Sequence, residues 1–307
     1  MAERKVSKSW LSSAWLGIVS EERIKYLLLA PCILYLLGIG IFPLLYSARL
    51  LFYDWNISAR RGQVFVGFGN FVRLAQDRMF KGTLSNTVIF VVAAVSLEFV
   101  LGFGLALLLN REIKGQGIFR VIFLLPMMAS PIAVGYTWRM LYHVANGPLN
   151  HFLSLVGLPP VSWTSDISTA LFSVILIDVW QWTPFVFVIL LAGLQSLPRE
   201  PYEAAIVDGA NRWQIFRYIT IPLLSPVMAL AVLLRAVEAV KIFDIIFVTT
   251  AGGPGSATET ITMYARTVGM QQFSLGYAST ISYTLLIVSI IIFTFLIRFL
   301  RREREFE

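Results

Sequence analysis

Six long apolar runs, separated by polar connectors, set the pattern of this chain. They lie at about Tyr26–Phe52, Leu84–Leu109, Ile118–Leu141, Thr169–Leu194, Pro222–Thr249 and Tyr277–Leu300. A helix crossing a bilayer needs about 20 apolar residues, and every run reaches that length. The pattern predicts an all-α integral membrane protein with six transmembrane helices. Pro31 and Pro43 fall in the first run, Pro126 and Pro131 in the third, and Pro184 in the fourth. A proline at depth frees carbonyls that neighbours must satisfy, so the helices pack as a bundle and kinks are expected. The first run is longer than the apolar core of a cleavable signal peptide.

The connectors orient the bundle. With the N-terminus cytoplasmic, fifteen Lys and Arg flank the inner ends of the spans and six flank the outer ends, the latter being Arg60, Arg61, Arg73, Arg78, Lys81 and Arg266. The first outer connector opposes the positive-inside bias locally, but the total places both termini in the cytoplasm. The chain divides into an N-terminal segment 1–24, a first span with its external loop 25–82, a core 83–300 containing a cytoplasmic loop 196–221, and a tail 301–307. Trp10, Leu11, Ala14, Trp15 and Ile18 recur at helical spacing, which fits a helix on the membrane surface or a flexible tail. Residues 54–82 read as a compact, turn-rich piece. Ala251-Gly252-Gly253-Pro254-Gly255 lacks the Gly-Lys-Ser/Thr ending of a phosphate loop and faces outward in this orientation.

Composition agrees with the hydropathy pattern. Among 307 residues, 57% are hydrophobic and 14% charged, against about 25% charged in soluble domains; mean hydropathy is +0.73. The net charge of +7 comes from residues beside apolar runs, which suits membrane lipid and not nucleic acid. One cysteine, Cys32, and two histidines, His143 and His151, exclude an internal disulfide framework and make a metal site improbable. No Walker loop, HExxH or GxSxG is present, so no enzyme activity and no cofactor in this chain are expected.

Three stretches carry candidate chemistry. Ionisable groups inside spans are costly and functional by default. Arg235, Glu238, Lys241 and Asp244 recur every third residue in the fifth run and predict a stripe on one helix side. The stripe reads as a polar lining for Arg235 and Glu238, and as mutual neutralisation for Lys241 and Asp244. In the fourth run, Asp178, Gln181, Trp182 and Phe185 share a face that joins hydrogen-bonding groups to aromatic rings, the mixture that sugars bind. The alternative for that face is packing, with Asp178 paired to a cation. Single charges Glu98 and Arg139 read as cross-helix partners or as groups reaching the interface, and not as substrate contacts. The third stretch is Glu203–Pro222. Ala204 and Ala205 permit close approach of another helix, Gly209 permits a sharp turn, and Pro222 suits a first helical turn. It reads as two short helices bent at Gly209 and fitted to a partner's groove, or as an ordinary connector.

Glu203-Ala204-Ala205, Gly209, Ile219 and Pro222 fall at the spacings of the EAA signature, and the chain is identified by it as resembling permease subunits of binding-protein-dependent ABC importers. Ile221 stands where that signature has Leu. Asp208-Gly209-Ala210 and Phe216 are also similar. Ala30-Pro31, Asp54-Trp55-Asn56, Gly67-Phe68-Gly69-Asn70-Phe71, Lys241-Ile242-Phe243-Asp244 and Gly276-Tyr277-Ala278 resemble the maltose-type and glycerol-phosphate-type branch. The resemblance covers about Tyr26 to Leu300. It implies a type I ABC importer permease fold in a cell (inner) membrane. It also implies a second related permease, two copies of a cytoplasmic ATPase carrying ATP and Mg, and a periplasmic or lipid-anchored solute-binding protein. Glu203, Ala204, Ala205, Asp208, Gly209 and Pro222 would couple to the ATPase. Asp178, Phe185, Arg235, Glu238 and Ile242 would meet a sugar, polyol or glycoside, with an anionic derivative left open at Arg235. The rival function is an ion-coupled secondary transporter; six spans without a recognisable repeat count against it.

Overall fold

The computed structural model describes residues 21–59, 62–110 and 115–304; the expected surface helix over Trp10–Ile18 lies outside them. In chain order the helices are α1 (Glu21–Tyr35), α2 (Phe42–Leu50), α3 (Gly69–Gln76), α4 (Arg78–Leu109), α5 (Gln116–Met128), α6 (Pro131–Leu141) and α7 (Pro148–Leu155). They continue as α8 (Ile167–Gln195), α9 (Glu200–Val207), α10 (Arg212–Ile215), α11 (Ile221–Ala239), α12 (Asp244–Thr249), α13 (Ile261–Arg266) and α14 (Leu275–Arg304). One small hairpin pairs β1 (Tyr53–Asp54) with β2 (Val64–Phe65).

Among the described residues, five continuous helices are long and apolar enough to cross a membrane: Lys25–Leu50, Arg78–Leu109, Ile167–Gln195, Arg212–Ala239 and Leu275–Phe295. The third apolar run is not one continuous helix, and makes a sixth span if its two halves count as one broken span. It forms two helices bent by 95°, because Ala129 and Ser130 are extended and Pro131 biases the residue before it away from helix.

α8 is the axis of the bundle. Its most apolar stretch is 67% buried, whereas that of Lys25–Leu50 is 0% buried. Glycines set how closely the others approach α8. A Cβ at Gly102 of α4 would stand 3.0 Å from the Phe187 nitrogen, and one at Gly193 of α8 would stand 2.7 Å from Val227 Cγ1 of α11. Small residues are the usual means of tight packing where lipid removes the hydrophobic drive between helices. Two apolar clusters line the axis, one around Phe90, Val174, Ile177 and Ile245, the other around Ala106, Phe187, Leu190 and Leu224.

Wide π-turns precede two prolines. The Phe42 N–H bonds the Leu37 carbonyl just before Pro43, and the Ile221 N–H bonds the Phe216 carbonyl just before Pro222. Each turn displaces the carbonyl row that the proline ring would strike, so the helix continues. Pro222 therefore does not open a new helix, as the sequence suggested; the fifth span runs unbroken from Arg212.

At the far end of the bundle from Glu203, Asp77 caps α4 and ties it to two other helices. Its carboxylate accepts from Met79 N at 2.8 Å, Phe80 N at 3.3 Å, Tyr264 Oη at 2.6 Å and the Tyr277 hydroxyl. Burial pushes this carboxyl up, but the two phenols and two backbone N–H groups outweigh it and hold it below its ordinary value of 3.8. A group that binds its proton more weakly folded than unfolded stabilises the fold above the unfolded value and ceases to do so as pH falls through the folded one. The thermal stability of the wild type should therefore fall more steeply below pH 3.8 than that of Asp77→Asn. Equal slopes in detergent-solubilised melts would remove Asp77 from this role.

Candidate functional site

Three spans meet on one guanidinium. Arg235 of α11 is 2% exposed, and Glu98 of α4 and Asp178 of α8 are 0% exposed. Arg235 Nη2 donates to Glu98 Oε1 at 3.0 Å and to Asp178 Oδ2. Its Nε lies 2.6 Å from Glu98 Oε2 but makes no hydrogen bond, so that contact is Coulombic. The Trp182 ring lies 5.4 Å from the guanidinium carbon, a cation–π distance. A charge at this depth survives only when paired, and here one cation serves two carboxylates from two other helices.

The expected four-residue charge stripe does not form. α11 ends at Ala239 and α12 begins at Asp244, so Lys241 and Asp244 leave the helical register of Arg235. The hydroxyls of Thr260 and Thr262 donate to the Ile242 carbonyl in the break, at 3.4 and 2.5 Å. Glu238 and Lys241 instead pair with each other at 2.8 Å, both more than half exposed.

A cavity of about 170 Å³ opens beside the triad, lined by Pro131, Asp178, Trp182, Arg235, Glu238, Lys241, Ile242, Phe243, Asp244 and Ile245. Five sequence candidates thus converge on it: Asp178, Trp182, Arg235, Glu238 and Ile242. Gln181 and Phe185 do not line it. Gln181 is buried and donates its Nε2 to the Ala129 carbonyl at 3.0 Å, satisfying the break between α5 and α6. Phe185 packs in the second apolar cluster and meets Trp182 edge-on. The acceptor atoms Asp178 Oδ1 and Gln181 Oε1 are buried without a partner among the described residues. Pro131, Phe243 and Ile245 join the lining without having been candidates for it; the sequence marked Pro131 as a kink and Phe243 only as part of a family-like stretch. The only local signal for any of them was the proline, which marks the break.

The Glu203 segment forms the other feature. α9 ends in a Schellman turn: Gly209 takes φ 76°, its N–H bonds the Ile206 carbonyl, and the Ala210 N–H bonds the Ala205 carbonyl. Asn211 and Gln214 then form a capping box that starts α10. The bend at Gly209 follows the expectation, whereas the second arm is the head of the fifth span and not a short helix. Glu203 and Ala204 are exposed and Ala205 half-buried. Around them stand Val207, 87% exposed, Trp213 and Tyr218, too much apolar surface in one place for a free aqueous loop. A recess of about 300 Å³ is lined by Asp208, Gly209, Ala210, Gln214, Ile215, Tyr218 and Ile219. Tyr202 Oη and Thr220 Oγ1, 3.1 Å apart, join α9 to the fifth span.

Residues 98–303 match the family described as binding-protein-dependent transport system inner membrane component. The chain is 37% identical over 270 residues to the trehalose/maltose transport system permease protein MalF of Thermococcus litoralis, covering 88% of this chain and 91% of that one. It is 31% identical to the sulfoquinovosyl glycerol transport system permease protein SmoG of Agrobacterium fabrum, covering 94% of each. Among solved structures, a chain of a bacterial ABC transporter that imports the acidic polysaccharide alginate superposes with a TM-score of 0.79 at 24% identity, covering 94% of this chain and 99% of that one.

Proposed function

Because this chain belongs to the family of binding-protein-dependent transport system inner membrane components, a multi-pass membrane permease and not an enzyme, we propose that it moves a carbohydrate into the cytoplasm by alternating access. The observation that carries this reading is the placement of the two features on one helix. The fifth span starts at the Glu203 bend and ends at the cavity; Thr220 and Arg235 are fifteen residues apart, about 22 Å of helix. A push on one end is delivered to the other through a rigid element.

In this reading Glu203, Ala204, Ala205, Asp208 and Gly209 seat in a cytoplasmic ATPase, two copies of which hold ATP and Mg, and Pro222 lies at the wide turn behind them. The exposed apolar rim around Val207 supplies contact area and Glu203 a carboxylate for a basic partner group. A second, related permease completes the pathway, and an external binding protein delivers substrate. Asp178, Trp182, Arg235, Glu238 and Ile242 line the substrate path, with Gln181 and Phe185 holding its walls. The relatives named for trehalose/maltose and for sulfoquinovosyl glycerol support a sugar or glycoside.

Purification through a tag on this chain should bring down a second permease and an ATPase. Uptake by the reconstituted assembly should require ATP on the ATPase side and binding protein on the other. A lone chain that transports on an ion gradient would overturn the proposal in favour of a secondary transporter.

A further inference from the structure

We propose that the cavity beside Arg235 admits uncharged polyhydroxy substrates and turns away anionic ones. The proposal rests on the reading of that cavity as the substrate path and adds the substrate's charge class. Two cations line the cavity, and each already faces a carboxylate. Arg235 is 2% exposed and held by Glu98 and Asp178. Lys241 is held by Glu238 at 2.8 Å. Three carboxylates share the lining, Asp178, Glu238 and Asp244, and Asp244 is in no ion pair among the described residues. An anion entering this space would meet three carboxylates against two cations that are already paired. To bind it, Arg235 would have to leave two buried carboxylates, the costly outcome for such a cluster.

The same lining suits hydroxyl groups. Asp178 Oδ1 is a buried acceptor without a partner among the described residues, and the Asp244 carboxylate adds further acceptors. Trp182, Ile242 and Phe243 offer apolar surface for the C–H face of a sugar ring. A hydroxyl donates to a carboxylate without adding charge, so a neutral polyol satisfies these acceptors where an anion opposes them.

The test places one thiol in the cavity wall. Ile242→Cys in a Cys32→Ser background leaves a single cysteine in this chain, and the purified assembly is treated with N-ethylmaleimide, which is uncharged. Maltose, trehalose and sorbitol are compared with glucuronate and glucose 6-phosphate at equal concentration. At least one neutral compound should slow labelling about tenfold, while the anions change it less than about twofold. Protection by an anion equal to or better than that by every neutral compound would overturn the charge argument and leave the path reading standing. Protection by none would overturn both. Glu238→Gln, a change at an exposed position, releases Lys241; glucuronate should then protect, and no gain in its protection would count against the proposal.

Discussion

An Arg235→Met chain is expected to lose about 3–5 kcal/mol of stability, the effect of leaving buried carboxylates without their cation. Glu98 and Asp178 are both fully buried and come from two different spans, so neither can turn to water when the guanidinium is removed. Methionine fills a similar volume, which separates loss of charge from loss of packing. The stringent control replaces the whole cluster, Glu98→Met and Asp178→Leu together with Arg235→Met. An apolar core there should recover most of the single variant's loss, because a buried ion cluster is often no more stabilising than a well-packed apolar one. Thermal unfolding of the detergent-solubilised assembly reads both. A single variant as stable as wild type would show that the three residues do not act as one cluster. The restored triple variant is not expected to transport, since Asp178 lines the cavity.

Glu203→Lys should abolish ATP-driven uptake while the chain still inserts and assembles, and Glu203→Gln should act more mildly. The side chain is exposed and makes no ion pair among the described residues, so reversing its charge leaves the fold alone and changes only what docks on it. Gly209→Pro reaches the same end through the backbone. Gly209 holds φ 76°, proline is confined near −65°, and the change also removes the N–H that bonds Ile206. The Schellman turn would open and the angle between α9 and the fifth span would be lost. Uptake in reconstituted vesicles, set against the amount of ATPase that co-purifies, distinguishes lost docking from lost transmission. Normal uptake by either variant would end the coupling role assigned to this segment.

The spans were legible in the sequence because each is a long apolar run, a signal that lipid makes nearly obligatory. The bend at Gly209 was legible because the left-handed backbone there demands glycine. The break at Ala129–Ser130 was half legible: Pro131 marked a kink but not its 95° angle. The stop at Ala239 was not legible. No glycine or proline lies between Val240 and Phe243, and apart from Lys241 and Asp244 the run stays apolar to Val248. Its cause is tertiary, since Ile242 and Phe243 pack into the first apolar cluster and threonines 18 and 20 residues on satisfy the freed carbonyl. The Arg235 triad shows the same limit. Periodicity gave each member a position but not a partner, because Glu98 is 137 residues from Arg235 and only the fold brings them together.

The wide turn at Phe216–Thr220 makes the cavity sensitive to chain length as well as to side-chain identity. Such a turn holds one residue more than an ordinary α-helical turn, and each residue of helix advances the direction of a side chain by about 100°. Were the extra residue absent, everything from Pro222 to Ala239 would be rotated by about that amount, and Arg235 would take the exposed direction of Leu234 in place of that toward Glu98 and Asp178. The azimuth of the guanidinium is therefore set four helical turns away, beside the surface where the motor is proposed to grip. Along this span a substitution is absorbed locally, whereas a one-residue deletion acts like a misthreaded screw.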